Sequence, residues 1–385
     1  AAKDLDAHSR YIRDLERRGK LDRAVEFLPD DEGLHNRAKE NKGLTRPELA
    51  VMLAYAKLDL DAELNASELP DDPYFASELS GYFPPAAVKR LPEELPRHRL
   101  KREIVSTVLT NRLVNLGGPV LIQRMKEISG APAWRVARAI VVAEGAFGLS
   151  ALKSRIDALD YRIDANVQTA MYADIAELLR RLGLWFLANV PANASLADIT
   201  ALYRGGVETL RGRFSTFIST YEAHDTEARI AALQKAGAPL DVAEDVAVLP
   251  LMGSAPEIAL LAHNRGLPID LVAGAYFAVG EKIGLDRLRG LAARIVSPEH
   301  WDRLAIRRIV DDLFAGQRAL TAHALDGVKT GTREDGAKAV ENWTNAHDDA
   351  VARTRAFLSE LERGGELSIA KLTLANSQIH QVAGL

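Results

Sequence analysis

Apolar residues recur at helical spacing along almost the whole of this 385-residue chain, and no stretch shows the alternation of β-branched residues between turns that marks a strand. The pattern predicts an all-α fold, a multi-helix elongated bundle with no dinucleotide-binding sheet. The length is about twice that of a typical domain, so either one elongated body or two to three packed subdomains is expected. The expected subdomains are 1–95, 96–237 and 238–385, with a block opening at Pro96 and the Pro- and Gly-containing stretch Gly237 to Pro250 as the best internal boundary.

Local rules place many of the helices. Leu5 to Arg18 reads as a first helix stopped at Gly19, with basic residues in its last turn where the dipole favours them. Leu21 to Leu34 reads as a short connecting segment. Thr45 and Glu48 then fit a capping box, Pro47 sits where a helix tolerates a missing donor, and Leu44 can staple onto Leu49. This helix is expected to end before the acidic stretch Asp59 to Glu68, and Leu69 to Tyr74 reads as a turn fixed by two prolines, with Asp71 and Asp72 bonding nearby amides. Further helices are expected from Arg99 to Asn115, from Pro132 to Glu144, from Leu149 to Leu159 and from Ala165 to Asn189. Ser254 and Glu257 fit another capping box, and a long amphipathic helix after Trp301 buries Leu304, Ile306, Ile309 and Leu313. A last helix ends near Gly364 and Gly365, and the segment from Leu367 either docks as a short helix or frays.

Composition excludes several classes of function. With 49 basic residues interleaved among 53 acidic ones, the chain has no electrostatic footprint for nucleic acid. The absence of cysteine removes disulfides, thiolate metal sites and a cysteine nucleophile, and makes a cytoplasmic location the natural expectation. The longest strongly apolar run, Leu271 to Val279, is far shorter than the ~20 residues of a membrane span. The chain opens on Ala1 rather than Met, as a piece of a longer polypeptide would.

The search for chemistry returns no catalytic, cofactor-binding or metal residue. Gly117 and Gly118 follow a helix rather than a strand, and Gly205 and Gly206 sit in a helical pattern that close packing explains better than a pyrophosphate turn. None of the nine histidines has another three or four residues away, the spacing two ligands on one helix face require. Ser254 reads as a helix cap rather than a nucleophile. Asp71/Asp72 and Asp311/Asp312 are sequence neighbours, better read as turn formers and solvated helix positions than as an acid and base pair. The four tryptophans are expected in packing roles.

One charged feature breaks a local rule. Arg97, His98, Arg99, Lys101 and Arg102 crowd positive charge at a helix start, where the dipole disfavours it. Glu93, Glu94 and Glu103, or an acidic patch on another domain, can compensate. A solvated or internally paired face is the default reading; the alternatives are an interdomain or subunit interface through Arg97, Arg99, Lys101 and Arg102, and binding of an anionic ligand.

Several long strings carry a family resemblance. LDRAVEFLPDDEGL (Leu21 to Leu34), GLTRPELAVMLAYAKLDL (Gly43 to Leu60) and HRLKREIVSTVLTNRLVNLGGP (His98 to Pro119) resemble the C-terminal helical region of the large bacterial NAD-specific glutamate dehydrogenases. FGLSALKSRIDALDYRIDANVQTAMY (Phe147 to Tyr172), RLGLWFLAN (Arg181 to Asn189) and AGAYFAVGEKIGLDRLRGLA (Ala273 to Ala292) extend it over nearly the whole chain. The resemblance implies a parent enzyme that converts L-glutamate, NAD and water to 2-oxoglutarate, ammonium and NADH. It carries over no catalytic residue, since Lys42 and Gly43 precede a helix cap and do not match that active site's lysine. It implies as partners the catalytic domain of the same polypeptide and further copies in a homo-oligomer, with no nucleic acid and no membrane. The role expected is support of the catalytic core, of assembly or of regulation. The alternatives are an independent helical protein-interaction module, or a fragment that is itself a dehydrogenase.

Overall fold

The computed structural model describes residues 4–295, 297, 299–363, 365 and 367–384, apart from the side chain of His300; Ala1 and Gly364 lie outside the described residues. Among them every regular element is a helix and none is a strand. The all-α expectation holds. The chain divides into two compact units, residues 1–154 with 171–201, and residues 155–170 with 202–385.

The first stretch of chain forms α1 (Leu5–Arg17), α2 (Asp31–Lys39), α3 (Arg46–Asn65), α4 (Ala76–Tyr82), α5 (Pro85–Arg90), α6 (Lys101–Gly117), α7 (Leu121–Ser129) and α8 (Ala133–Phe147). The helices α9 (Leu149–Asp157), α10 (Ala165–Asn189) and α11 (Leu196–Arg211) contain the points where the chain passes from one unit to the other. Next come α12 (Phe214–Phe217), α13 (Thr220–Lys235), α14 (Leu240–Ala247), α15 (Leu249–Met252) and α16 (Ala255–Arg265). The chain ends with α17 (Ile269–Ile283), α18 (Leu285–Ala292), α19 (His300–Ala324), α20 (Arg333–Ala346), α21 (Asp348–Arg363) and α22 (Ile369–Ala383).

In the first unit, one face of α1 buries Leu5, Tyr11, Ile12 and Leu15 against Met52 and Ala56 of α3. Leu44 is buried in this cluster and Leu49 packs against it, as a staple requires. The backbone amide of Thr45 donates to Glu48 Oε2 at 2.6 Å, so the expected capping box forms. The start of α3 was legible; its end was not. The helix runs to Asn65, through the acidic residues expected to stop it, because Asp59 turns inward to a partner on the α1 side and Glu63 is neutralised by Lys126 at 2.6 Å. The connecting segment also differs from expectation, since α2 starts at Asp31 within it and runs on to Lys39. Asp30 caps α2 by accepting from the Gly33 amide at 2.7 Å, with acids in its first turn and Arg37 and Lys39 in its last. Only Leu34 of α2 is buried, too thin a stripe for periodicity to register.

In the second unit α17 is the central helix. Residues Leu271, Val272, Ala273, Ala275, Tyr276 and Val279 are all fully buried, as expected of a helix apolar on every side in a soluble core. It packs on α16, α18, α19 and α20. Gly274 and Gly336 let α17 and α20 meet backbone to backbone: a Cβ on Gly336 would stand 2.1 Å from the Leu271 carbonyl, and one on Gly274 would stand 2.3 Å from that of Arg333. Ile306, Ile309 and Leu313 of α19 are buried as expected, while Leu304 is half-buried. The C-terminal segment docks on α19 as α22, burying Leu372, Ala375, Ile379 and Val382.

One expected cap is not made. Ser254 has helical φ and ψ of −81° and −23° and donates back to the Leu251 carbonyl at 2.6 Å, while Glu257 pairs with Arg318 at 2.7 Å. The chain reaches α16 already coiled by α15, so the capping geometry does not arise there. No single helix among the described residues is long and apolar enough to cross a membrane.

Candidate functional site

The basic segment is placed by a run of short elements. Leu95 to Arg97 makes a single 3-10 turn, His98 Nδ1 accepts from the Leu100 amide at 3.1 Å, and the His98 ring packs on Phe83 at 5.3 Å between centroids. Arg102 is engaged by its own chain: Nη1 donates to the carbonyls of Asn65 and Ser67 at 3.1 and 2.8 Å, and Nη2 meets Asp71. Asn65 is the last residue of α3 and Ser67 lies just past its cap, so the guanidinium sits where a helix dipole favours a cation. The counter-charge is thus Asp71 of the proline-fixed turn, and not Glu93, Glu94 or Glu103. Asp72 accepts from the Tyr74 amide at 2.9 Å, as expected of a turn aspartate. Arg97 and Arg99 are exposed and Lys101 is half-buried. The structure therefore separates Arg102 from the three cations with which sequence grouped it.

Two ionic clusters that the sequence did not flag are buried. In the first unit Arg18 grips Asp59, only 6% exposed, with both terminal nitrogens at 2.8 Å, and Tyr11 donates to the same carboxylate at 3.1 Å. Burial, then the Asp59 charge, pushes the Tyr11 hydroxyl up, so it stays a donor. At the other end of α3 Arg37 binds Glu48 in a fork at 2.5 and 2.8 Å, holding that carboxyl down at about 2.

The second cluster joins α13, α18 and α19. Ser219 caps α13 by accepting from the Glu222 amide at 3.2 Å, and its hydroxyl donates to Asp286 Oδ2 at 2.5 Å. Glu222 Oε2 in turn accepts from the Ser219 amide at 3.2 Å. Arg289 lies over the Phe314 ring at 4.5 Å, reaches Glu222 Oε1 at 3.3 Å and donates to Gln317, whose amide donates to the Tyr276 carbonyl at 2.6 Å. Burial raises the Glu222 carboxyl above its usual range, with Asp286 adding to the rise and Arg289 opposing it. Ser219 and Glu222 stand at capping-box spacing, a local signal that could have found them; their partners Asp286 and Arg289 on α18, each 67 residues away, had none.

The remaining residues weighed from sequence fall into structural places. Gly206 meets Ala259 closely, with a built Cβ at 3.0 Å, whereas Gly205 faces open space. Gly118 adopts φ +81° after the helix α6 rather than after a strand. His347 Nδ1 lies 2.9 Å from the Trp343 carbonyl, at the break between α20 and α21. Trp301 is exposed. The clusters hold carboxylates and guanidiniums against one another and against backbone, an arrangement that fixes helices.

A family described as glutamate dehydrogenase, C-terminal, matches residues 41–381. The chain belongs to that family. Proteins named NAD-specific glutamate dehydrogenase are similar over nearly its full length. That of Halomonas elongata is 34% identical over 94% of this chain and 22% of its own, and that of Pseudomonas aeruginosa 34% identical over 100% and 24%. That of Mycobacterium tuberculosis is 30% identical over 99% and 23%. The chain thus spans less than a quarter of the length of these curated relatives.

Proposed function

We propose that this chain is the helical C-terminal region of a large NAD-specific glutamate dehydrogenase, and that it supports the catalytic core without binding substrate itself. The observation that carries the reading is the continuous family match over 41–381 on a purely helical scaffold. Nucleotide binding of the dehydrogenase kind uses a crevice at the carboxyl ends of parallel strands, and the described residues hold no strand. The parent reaction is oxidation of L-glutamate by NAD and water to 2-oxoglutarate, ammonium and NADH, in amino-acid catabolism. The catalytic portion of the same polypeptide is the first partner, and a homo-oligomer is its setting. The lack of cysteine fits a reducing compartment, and we assign the cytoplasm.

The test compares the full enzyme with a version lacking this region. Sedimentation, thermal melting and steady-state kinetics are measured on both. Loss of the assembled state, of stability or of turnover is the expected result; a deletion that leaves all three unchanged refutes the supporting role.

A further inference from the structure

The segment from Pro84 to Leu100 lies at the surface of its unit. Of its residues only Leu95 is buried. Leu91 and Leu100 are 49% and 50% exposed, and Tyr82 just before them is 59% exposed. Among the described residues Arg97, Arg99 and Lys101 find no ion-pair partner, nor do Lys89 and Arg90 at the end of α5. Elsewhere in the same unit Arg18 is paired with Asp59, Arg23 with Glu16, Arg37 with Glu48, Arg112 with Glu78 and Arg124 with Asp4, whereas Arg46, Arg135 and Arg138 lie scattered without a carboxylate partner among the described residues. The segment is nevertheless held in shape. Leu95 anchors its middle, His98 stacks on Phe83, and Arg102 locks its end to the carbonyls at the end of α3 and just beyond it and to Asp71.

Cations gathered at the start of α6 oppose its dipole, and the leucines and tyrosine leave apolar area in water. An acidic surface with an apolar recess would relieve both. We propose that Tyr82, Leu91 and Leu100, flanked by Arg97, Arg99 and Lys101, form a docking surface for a carboxylate-rich face on the remainder of the same polypeptide. The inference rests on the supporting role proposed above. The apolar trio matches the centre of a protein interface with a charged rim, a feature that a phosphate backbone does not meet.

The experiment uses the full-length enzyme and a zero-length carbodiimide cross-linker, which joins lysines to carboxylates in direct contact, with the products mapped by mass spectrometry. Lys89 and Lys101 are expected to join to aspartates or glutamates outside this 385-residue chain. The double variant Leu91→Asp/Leu100→Asp keeps both lysines and touches only exposed side chains; it is expected to lower those cross-links at least tenfold with an unchanged circular dichroism spectrum. Cross-links confined to Glu93, Glu94 and Glu103, joined to another copy of this same region, or undiminished in the double variant would overturn the proposal. So would selective retention of the enzyme, lost on Arg97→Glu/Arg99→Glu, by RNA or by phosphatidylserine vesicles. If deletion of the whole region impairs the enzyme while these cross-links are absent, only the docking surface is refuted; if deletion has no effect, the supporting role fails first.

Discussion

Arg18 and Asp59 form a two-pronged ion pair, both contacts at 2.8 Å, that ties the end of α1 to the middle of α3 across 41 residues of sequence. Tyr11 shares the carboxylate, so removing it strands a guanidinium and a buried hydroxyl together. Asp59→Ala is expected to destabilise the first unit by about 2–4 kcal/mol, below the full figure for a buried pair at its lower end because Arg18 keeps some solvent contact. The measurement is urea unfolding: a lower midpoint with an unchanged slope supports it, and an unshifted midpoint contradicts it. Asp59→Asn, which retains one acceptor, should fall between.

The glycine pairs make a sharper contrast. Gly205 and Gly206 are neighbours within α11, yet a Cβ on the first meets nothing within 4 Å and one on the second meets the Ala259 Cβ at 3.0 Å. Gly205→Ala should stabilise by up to about 1 kcal/mol through helix propensity. Gly206→Ala should be neutral or worse. Gly336→Ala forces α20 off the Leu271 carbonyl and should cost about 3 kcal/mol or more, at or above the usual overpacking range. Thermal melts of the three variants should rank them in that order.

Acid should loosen the first unit for two reasons of the same sign. Arg37 holds Glu48 at about 2 against an ordinary 4.5, so the stability its ionised form contributes is complete above 4.5 and lost as pH falls toward 2. His8 is depressed from 6.5 to about 4, chiefly by burial, with Asp4 opposing and Arg124 adding; its Nδ1 has no hydrogen-bond partner among the described residues. Its contribution is complete above 6.5 and lost as pH falls through 4. His8→Leu should therefore shrink the loss of stability between pH 6.5 and 4, and Glu48→Gln the loss below 4.5. Chemical denaturation at a series of pH values separates them.

Glu222 runs the opposite way. Its carboxyl is raised by burial, so the protonated form suits the fold; that contribution is present below 4.5 and lost as pH rises through the raised value. Glu222→Gln should flatten the decline in stability of the second unit as pH rises above 4.5. An unchanged profile would mean that Arg289 alone sets the charge balance there.

The local elements were legible because their causes are local. Ala165 to Asn189 stands at its expected bounds, and Thr45 with Glu48 begins α3 as read, since caps and periodicity act within one or two turns. The end of α3 was misread for the converse reason. Acidic residues in a row suggest a solvated stop, and only the arrival of Arg18 and Lys126 from other helices lets Asp59 and Glu63 remain helical. Ser254 failed likewise, because α15 had already set its backbone.

Sequence by itself determined the helical class, the starts of several long helices and the family, because periodicity, caps and long ordered strings are properties of contiguous residues. Tertiary structure alone decided which charges meet. It sent Arg102 to the carbonyls at the end of α3 and just beyond it and to Asp71, gave Ser219 and Glu222 their partners on α18, and left Arg97, Arg99 and Lys101 without counter-ions among the described residues. The physical reason is that an ion pair or a charged hydrogen bond is fixed by distance in space. Arg102 and Asp71 stand 31 residues apart in the chain and Ser219 and Asp286 stand 67 apart, yet each pair is in contact, and sequence spacing carries no record of that approach.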